Sequence, residues 1–101
     1  MHMFSLKKKY FFIIKSIKDI NLKIIKKHNK FIIIYRYEKK PENIEDLLRF
    51  RKNCKLKTIK FYVANDLNLA TFLKSDGIYL SSYNKSFKFL SSKRNNFKII
   101  G

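Results

Sequence analysis

Glycine and proline are nearly missing from this chain: two Gly and one Pro in 101 residues. Flexible linkers and loop-rich folds need many more of both, so neither is expected. Cysteine occurs once, at Cys54, which rules out an internal disulfide. Cys54 falls near the end of an expected helix and outside any metal-ligand spacing, as a small half-buried residue would. No apolar run approaches the ~20 residues of a membrane span. The N-terminus places lysines before an apolar stretch, but Tyr10 to Ile14 falls short of the ~7–15 residues of a signal-peptide core, and Lys15 and Lys18 close it. A cytoplasmic protein is expected. No Gly-rich fingerprint follows the first strand, so dinucleotide binding has no support.

Acidic residues are also few, seven against 24 Lys and Arg, giving a net charge of +17. Such a balance raises nucleic acid or an anionic surface as partners. The excess is almost all lysine, spread along the chain beside abundant Ile and Asn. That pattern is a compositional bias as much as a binding patch, and dedicated nucleic-acid binders use more Arg, Gly and clustered aromatics. Nucleic acid and membrane are therefore not the expected partners, although salt-sensitive adhesion to polyanions is.

What is present is enough for one domain over residues 1–101, with 46% hydrophobic and 16% aromatic residues to build a core. Tyr10 to Ile14 is a continuous apolar run of strand length. Asp19 is positioned to cap a helix through Asn29, with Ile20, Ile24 and Ile25 on one face and His28 at its end. Phe31 to Tyr37 is the clearest strand, apolar throughout its first half as a strand covered on both faces would be. Pro41 and the pair Asn43 and Asp46 open a helix whose stripe is Ile44, Leu47 and Leu48, with Arg49, Arg51 and Lys52 on the far face. Thr58 to Ala64 is a further strand. Asn65 or Asp66 caps a short helix with Leu69, Ala70 and Leu73 inward. Asp76-Gly77 turns into a strand from Ile78 to Leu80, Ser81 to Asn84 is a polar loop, and Phe87 and Leu90 mark another helix that ends in Lys93 to Asn96. Phe97 to Ile100 begins a last strand. The alternation βαβαβαβαβ predicts an α/β fold with parallel strands, either an open doubly wound sheet or the first half of a (β/α)8 barrel.

Polar residues collect just after the strands: Arg36 and Lys39, then Asn65 and Asp66, then Ser81, Ser82 and Asn84. In a parallel sheet these ends share one side. Cations there neutralise phosphate oxygens, a carboxylate holds a bridging Mg2+, and helix-start amides add donors. Capping and turn chemistry alone also account for Asn65, Asp66 and the Ser81–Asn84 loop.

The stretch FYVANDLNLATFLKSDGIYL resembles the thiamine-phosphate synthase/TenI-like family, whose pattern is N-D-x-x-x-L-A followed by D-G-[VI]-[HY]-L. The matching positions are Asn65, Asp66, Leu69, Ala70, Asp76, Gly77, Ile78, Tyr79 and Leu80. Tyr10 to Ile14, FIIIYRYEKK and the final FKIIG are similar to other strands of the family in the same order. The resemblance implies the N-terminal half of a TIM (β/α)8-type barrel, truncated, related to thiamine biosynthesis. The family's synthase, a transferase, joins a pyrimidine diphosphate to a thiazole phosphate with Mg2+ and releases pyrophosphate.

Carried over, Arg36 and Asn65 bind the diphosphate, Lys39 substitutes for a lysine whose own position holds Glu38, and Asp66 is the first Mg2+ ligand. The family's second metal-binding Asp corresponds to Asn84, a weaker ligand for a hard cation. Ile34 replaces a Gln, and the family's later motifs have no counterpart within these residues. The resemblance thus implies weak or no synthase activity, and a homo-oligomer or partner chain over open strand edges. A TenI-like role on a related thiazole compound fits the same residues. The alternative from another class is a non-catalytic basic module for an anionic partner such as RNA.

Overall fold

The computed structural model describes residues 2–6, 8–25, 30–80 and 98–100. Among the described residues six strands form one sheet in chain order: β1 (His2–Leu6), β2 (Lys9–Ile14), β3 (Phe31–Tyr35), β4 (Lys60–Ala64), β5 (Gly77–Tyr79) and β6 (Lys98–Ile100). The pairings from β2 to β6 are all parallel, and β1 is antiparallel to β2. Two α-helices, α1 (Ile44–Leu56) and α2 (Leu67–Phe72), return the chain between β3 and β4 and between β4 and β5. The mostly parallel sheet with helices between β3 and β4 and between β4 and β5 matches the expected α/β class. Among the described residues no helix is long and apolar enough to cross a membrane.

Side-chain alternation divides the core between the two faces of the sheet. One face carries Ile14, Ile33, Tyr35, Phe61 and Val63, packed with Leu47, Phe50 and Cys54 of α1 and Leu69 and Ala70 of α2. The other carries Phe11, Ile32, Ile34, Tyr62 and Ala64, with Phe4, Ile13 and Tyr79 against them. Both α-helices therefore lie on one side, and the strand order has no reversal. Helices on both faces, as in a doubly wound sheet, are not seen among the described residues. Burial at the centre of the helix-bearing face also pushes the Cys54 thiol up to about 12.

Several local expectations are corrected. The helix expected from Asp19 to Asn29 is replaced, up to residue 25, by two single 3-10 turns, Ile17–Asp19 and Leu22–Ile24. Ser16 caps the first, and the Asp19 carboxylate reaches back to the N–H groups of Lys15 and Ser16, forming a capping box closed on itself. Asn21 then caps the second turn through Lys23. Short polar side chains that bond the nearby backbone, set among β-branched isoleucines, compete with helix continuation. His28 lies outside the described residues, as do Ser81 to Asn84, Phe87, Leu90 and Lys93 to Asn96.

The N-terminal hairpin was not expected. Its turn passes through Lys8 in the left-handed region (φ 66°), without the Gly or Asn that ordinarily announces such a turn. Phe4 stacks on Phe11 with ring centroids 4.8 Å apart, anchoring β1. One outer edge of the parallel sheet, that of β2, is thereby covered rather than open.

Asp76 and Arg51 also differ from expectation. Arg51 does not decorate the outer face of α1. Its guanidinium donates to the Lys74 carbonyl and pairs with Asp76 at 3.4 Å, while Asp76 Oδ2 accepts the Phe61 N–H at 2.9 Å. The Asp-Gly pair thus ties α1, β4 and β5 together at the strand starts. Asp46, expected to complete a cap with Asn43, pairs instead with Arg49 at 3.2 Å, and Asn43 alone accepts the Glu45 N–H.

Removing the partly buried Asp76 leaves the Phe61 N–H without its acceptor and the Arg51 guanidinium without its counter-charge. Asp76→Ala is expected to lower stability by about 1–3 kcal/mol in urea unfolding. Asp46→Ala, which breaks an exposed pair, should cost under about 1 kcal/mol. Equal losses from the two substitutions would contradict this assignment.

Candidate functional site

The ends of parallel strands point the same way, so β2, β3 and β4 deliver residues 15–19, 36–43 and 65–66 to one rim. β-branched and aromatic runs end here because each strand must give way to a loop that starts the next helix. The junction after β4 is tight. Asn65 sits in the left-handed region (φ 56°), which asparagine tolerates better than most residues. Its N–H donates to the Tyr79 carbonyl at 2.9 Å. Asp66 follows as the N-cap of α2, its Oδ1 accepting the Leu69 N–H at 2.9 Å.

The second oxygen of Asp66 accepts a short hydrogen bond from the Tyr37 hydroxyl. Burial, followed by that bond and the carboxylate's charge, pushes the Tyr37 phenol up to about 12. Tyr37 gave no signal in the sequence beyond ending an apolar run. Glu42 was missed as well, and it organises the rest of the rim. Its Oε1 accepts the Ile17 N–H (2.9 Å) and the Tyr35 hydroxyl (3.0 Å), its Oε2 accepts the Ser16 hydroxyl (2.8 Å), and its own N–H donates to Tyr35 Oη (3.0 Å). The loop after β2 and the loop after β3 are joined through this one carboxylate. Tyr35 is fully buried, and desolvation raises it to about 12.

Arg36 continues the ladder beyond β3, its N–H donating to the Ile14 carbonyl at 2.8 Å. Since Tyr35 pairs with Val63, Arg36 lies level with Ala64 and Tyr37 level with Asn65. Alternation puts Arg36 on the helix-free face with Ile32 and Ile34, and Tyr37 on the helix-bearing face with Ile33 and Tyr35. Arg36 and the Tyr37–Asp66 pair therefore share a rim but belong to opposite faces of it. A phosphate ligand touching both would have to lie across the strand ends. Lys39 is exposed in the bend after β3. Glu38 beside it pairs with Lys15 at 3.1 Å. Asn84 lies outside the described residues.

Among the described residues no group of three or more His, Cys, Asp or Glu could hold a metal ion. Mg2+ bound through phosphates asks less of the protein, one or two carboxylates beside phosphate oxygens and water. Asp66 meets that minimum. Each of its oxygens accepts one hydrogen bond and keeps a lone pair, so the residue fits a phosphate-bridged ion but not a protein-only metal site.

No protein-family model matches the chain, and neither does any curated protein or solved structure.

The Tyr37–Asp66 bond has a pH signature. The Tyr37 pKa is raised on folding, so the bond's contribution to stability is fully present below about pH 10 and is lost as pH rises toward 12. Wild type should exceed Tyr37→Phe in stability at pH 8, and the gap should close between pH 10 and 12 in denaturant titrations. A gap that is constant over that range would contradict the pairing.

Proposed function

We propose that this domain is thiamine-phosphate synthase/TenI-like, related to thiamine biosynthesis and acting in the cytoplasm. In this reading it binds a pyrimidine diphosphate with Mg2+ and has little or no synthase activity on thiazole phosphate. The observation that supports it is positional. Arg36 follows β3 and Asn65-Asp66 follow β4, on neighbouring parallel strands whose ends form one rim beside the start of α2. Phosphate ligands of parallel α/β folds collect at such a rim.

The strand order suits the first half of a (β/α)8-type barrel, since successive parallel strands are neighbours and both α-helices lie on one side. A closed barrel would pair its eighth strand with β2, on the edge that β1 occupies. β6 is the other outer strand of the described sheet, and a second copy or partner chain would add there.

Within the site, Arg36 and Lys39 would neutralise diphosphate oxygens, and Asn65 would place the backbone turn that opens α2. Asp66 would hold the ion, with Tyr37 fixing the carboxylate's orientation. Bound Mg2+ supplies charge neutralisation of the diphosphate. With one carboxylate in place, the chain's own residues position a ligand better than they activate a leaving group.

Calorimetric titration with a pyrimidine diphosphate tests this reading. Binding should require Mg2+, and Arg36→Ala and Asp66→Asn should each weaken it tenfold or more. Asp66→Asn keeps the helix cap while removing the charge. Added thiazole phosphate should yield no product at ordinary enzyme rates. Binding indifferent to Mg2+ and to both substitutions would overturn the assignment.

A further inference from the structure

Among the described residues the sheet ends in two outer strands, β1 and β6. An outer strand turns a row of backbone N–H and C=O groups toward any chain that can pair with it. Proteins blunt such rows with short strands, lysines, prolines or bulges. β6 is three residues long and starts with Lys98, so it carries two of these devices. β1 carries none of them. Its five residues, His2–Leu6, include no Lys, Arg, Asp, Glu or Pro, in a chain that holds 24 Lys and Arg. Its register with β2 advances one residue at a time, from His2 opposite Ile13 to Leu6 opposite Lys9, with no bulge. Met3 is 54% exposed, and Ser5 is exposed as well.

The side chains of β1 suit a second copy of the same strand. Phe4 stands opposite Phe11 on the helix-free face, with Ile32 beyond it on β3. Met3 and Ser5 stand opposite Phe12 and Tyr10 on the other face. Antiparallel pairing centred on Phe4 sets this ring against Phe4 of the second copy. The row Ile32, Phe11, Phe4 then runs on across the contact, aromatic against aromatic. Met3 meets Ser5 of the second copy, so a long apolar side chain lies opposite a small one. Its thioether can reach over that serine toward Tyr10, which is 39% exposed.

Charge selects both the occupant and the orientation. An acidic partner strand would find no cation within β1, whereas an uncharged strand pairs with an uncharged one at no electrostatic cost. Each copy carries +17, and Lys7, Lys8 and Lys9 concentrate part of it at the turn after β1. Parallel pairing would set two such turns side by side. Antiparallel pairing about Phe4 sends them to opposite ends, with the two Lys8 residues about 27 Å apart along the strands at ~3.4 Å per residue. Salt screens exposed charges over about 8 Å, so the turns do not oppose this contact.

We propose that β1 is a self-association edge, on which two copies of the chain pair antiparallel about a twofold axis through Phe4 and join their sheets into one. The contact is isologous, the same residues on both sides, so it closes at a dimer. Five residues bury little area, and the dimer is a concentration-dependent one. It does not depend on the diphosphate reading, which would add a partner at β6.

Sedimentation velocity of the full chain over a concentration series tests the proposal. The 12.2 kDa monomer should convert to a species of twice that mass and no larger. The dimer should tighten as salt is raised, because salt screens the repulsion between two basic copies; adhesion to a polyanion responds in the opposite direction. Met3→Lys combined with Ser5→Lys sets lysines against each other across the contact and should raise the dissociation constant tenfold or more. Asn53→Lys combined with Thr71→Lys adds the same charge at exposed positions on the two α-helices and should leave the dimer near wild type. Nitroxides attached at Lys8→Cys should read about 27 Å or more between copies. A wild-type chain that stays monomeric at every concentration and salt, equal losses in both variants, growth past a dimer, or nitroxides at the spacing of neighbouring strands would each overturn it.

Discussion

Parallel pairing between strands that follow one another in the chain is the constraint from which the rest of this structure follows. Each parallel step forces the chain to leave one rim of the sheet, cross back over a face and re-enter at the other. Every strand end from β2 to β4 is therefore delivered to one rim and every strand start to the other. Both α-helices cross on the same face, which fixes where Leu47, Phe50, Leu69 and Ala70 are buried. Six of the seven carboxylates fall at the strand-end rim, beside Lys15, Lys18, Arg36, Lys39 and Lys40, a placement invisible in a linear count of charge.

The rim at the strand ends is held by two carboxylates with different tasks. Glu42 joins the loop after β2 to the loop after β3 through Ser16, Ile17 and Tyr35. Asp66 caps α2 and receives the Tyr37 hydroxyl. A partly buried carboxylate is best tolerated when its oxygens are satisfied, and both residues meet that condition with neutral donors in these bonds. Arg36 and Lys39 follow β3 on the same rim. A diphosphate spanning the end of β3 and β4 would meet these cations on one side and an already oriented carboxylate on the other.

Much of the fold was legible because strand cores here are continuous apolar runs. Phe31 to Tyr35 and Phe61 to Ala64 fit no other element of that length, and Asn43 and Asp66 mark helix starts by their ability to accept a backbone N–H. The segment after β2 was not legible. Its isoleucine spacing fits a helix, but Asp19 and Asn21 bond the local backbone and break it into single turns. The N-terminal hairpin escaped notice because a lysine, not glycine or asparagine, makes its turn. Of the rim residues, Arg36, Asn65 and Asp66 were visible from their places after strands. Tyr37 and Glu42 were not, since their importance lies in partners 29 and 25 residues away. Arg51 misled in the same way. Its helical spacing puts it among solvated cations, whereas a long side chain folds over to Asp76.

The central claim is that the rim formed by the ends of β3 and β4 is a diphosphate site. Amide chemical-shift mapping on the full chain, with inorganic pyrophosphate and Mg2+ as the probe, tests it most directly. The account predicts saturable shifts at Arg36, Tyr37, Asn65, Asp66 and Leu67, with little change at Lys9, Lys30 or Lys60. Shifts confined to the lysines at the strand starts, or no saturable shift at the strand ends, would contradict it.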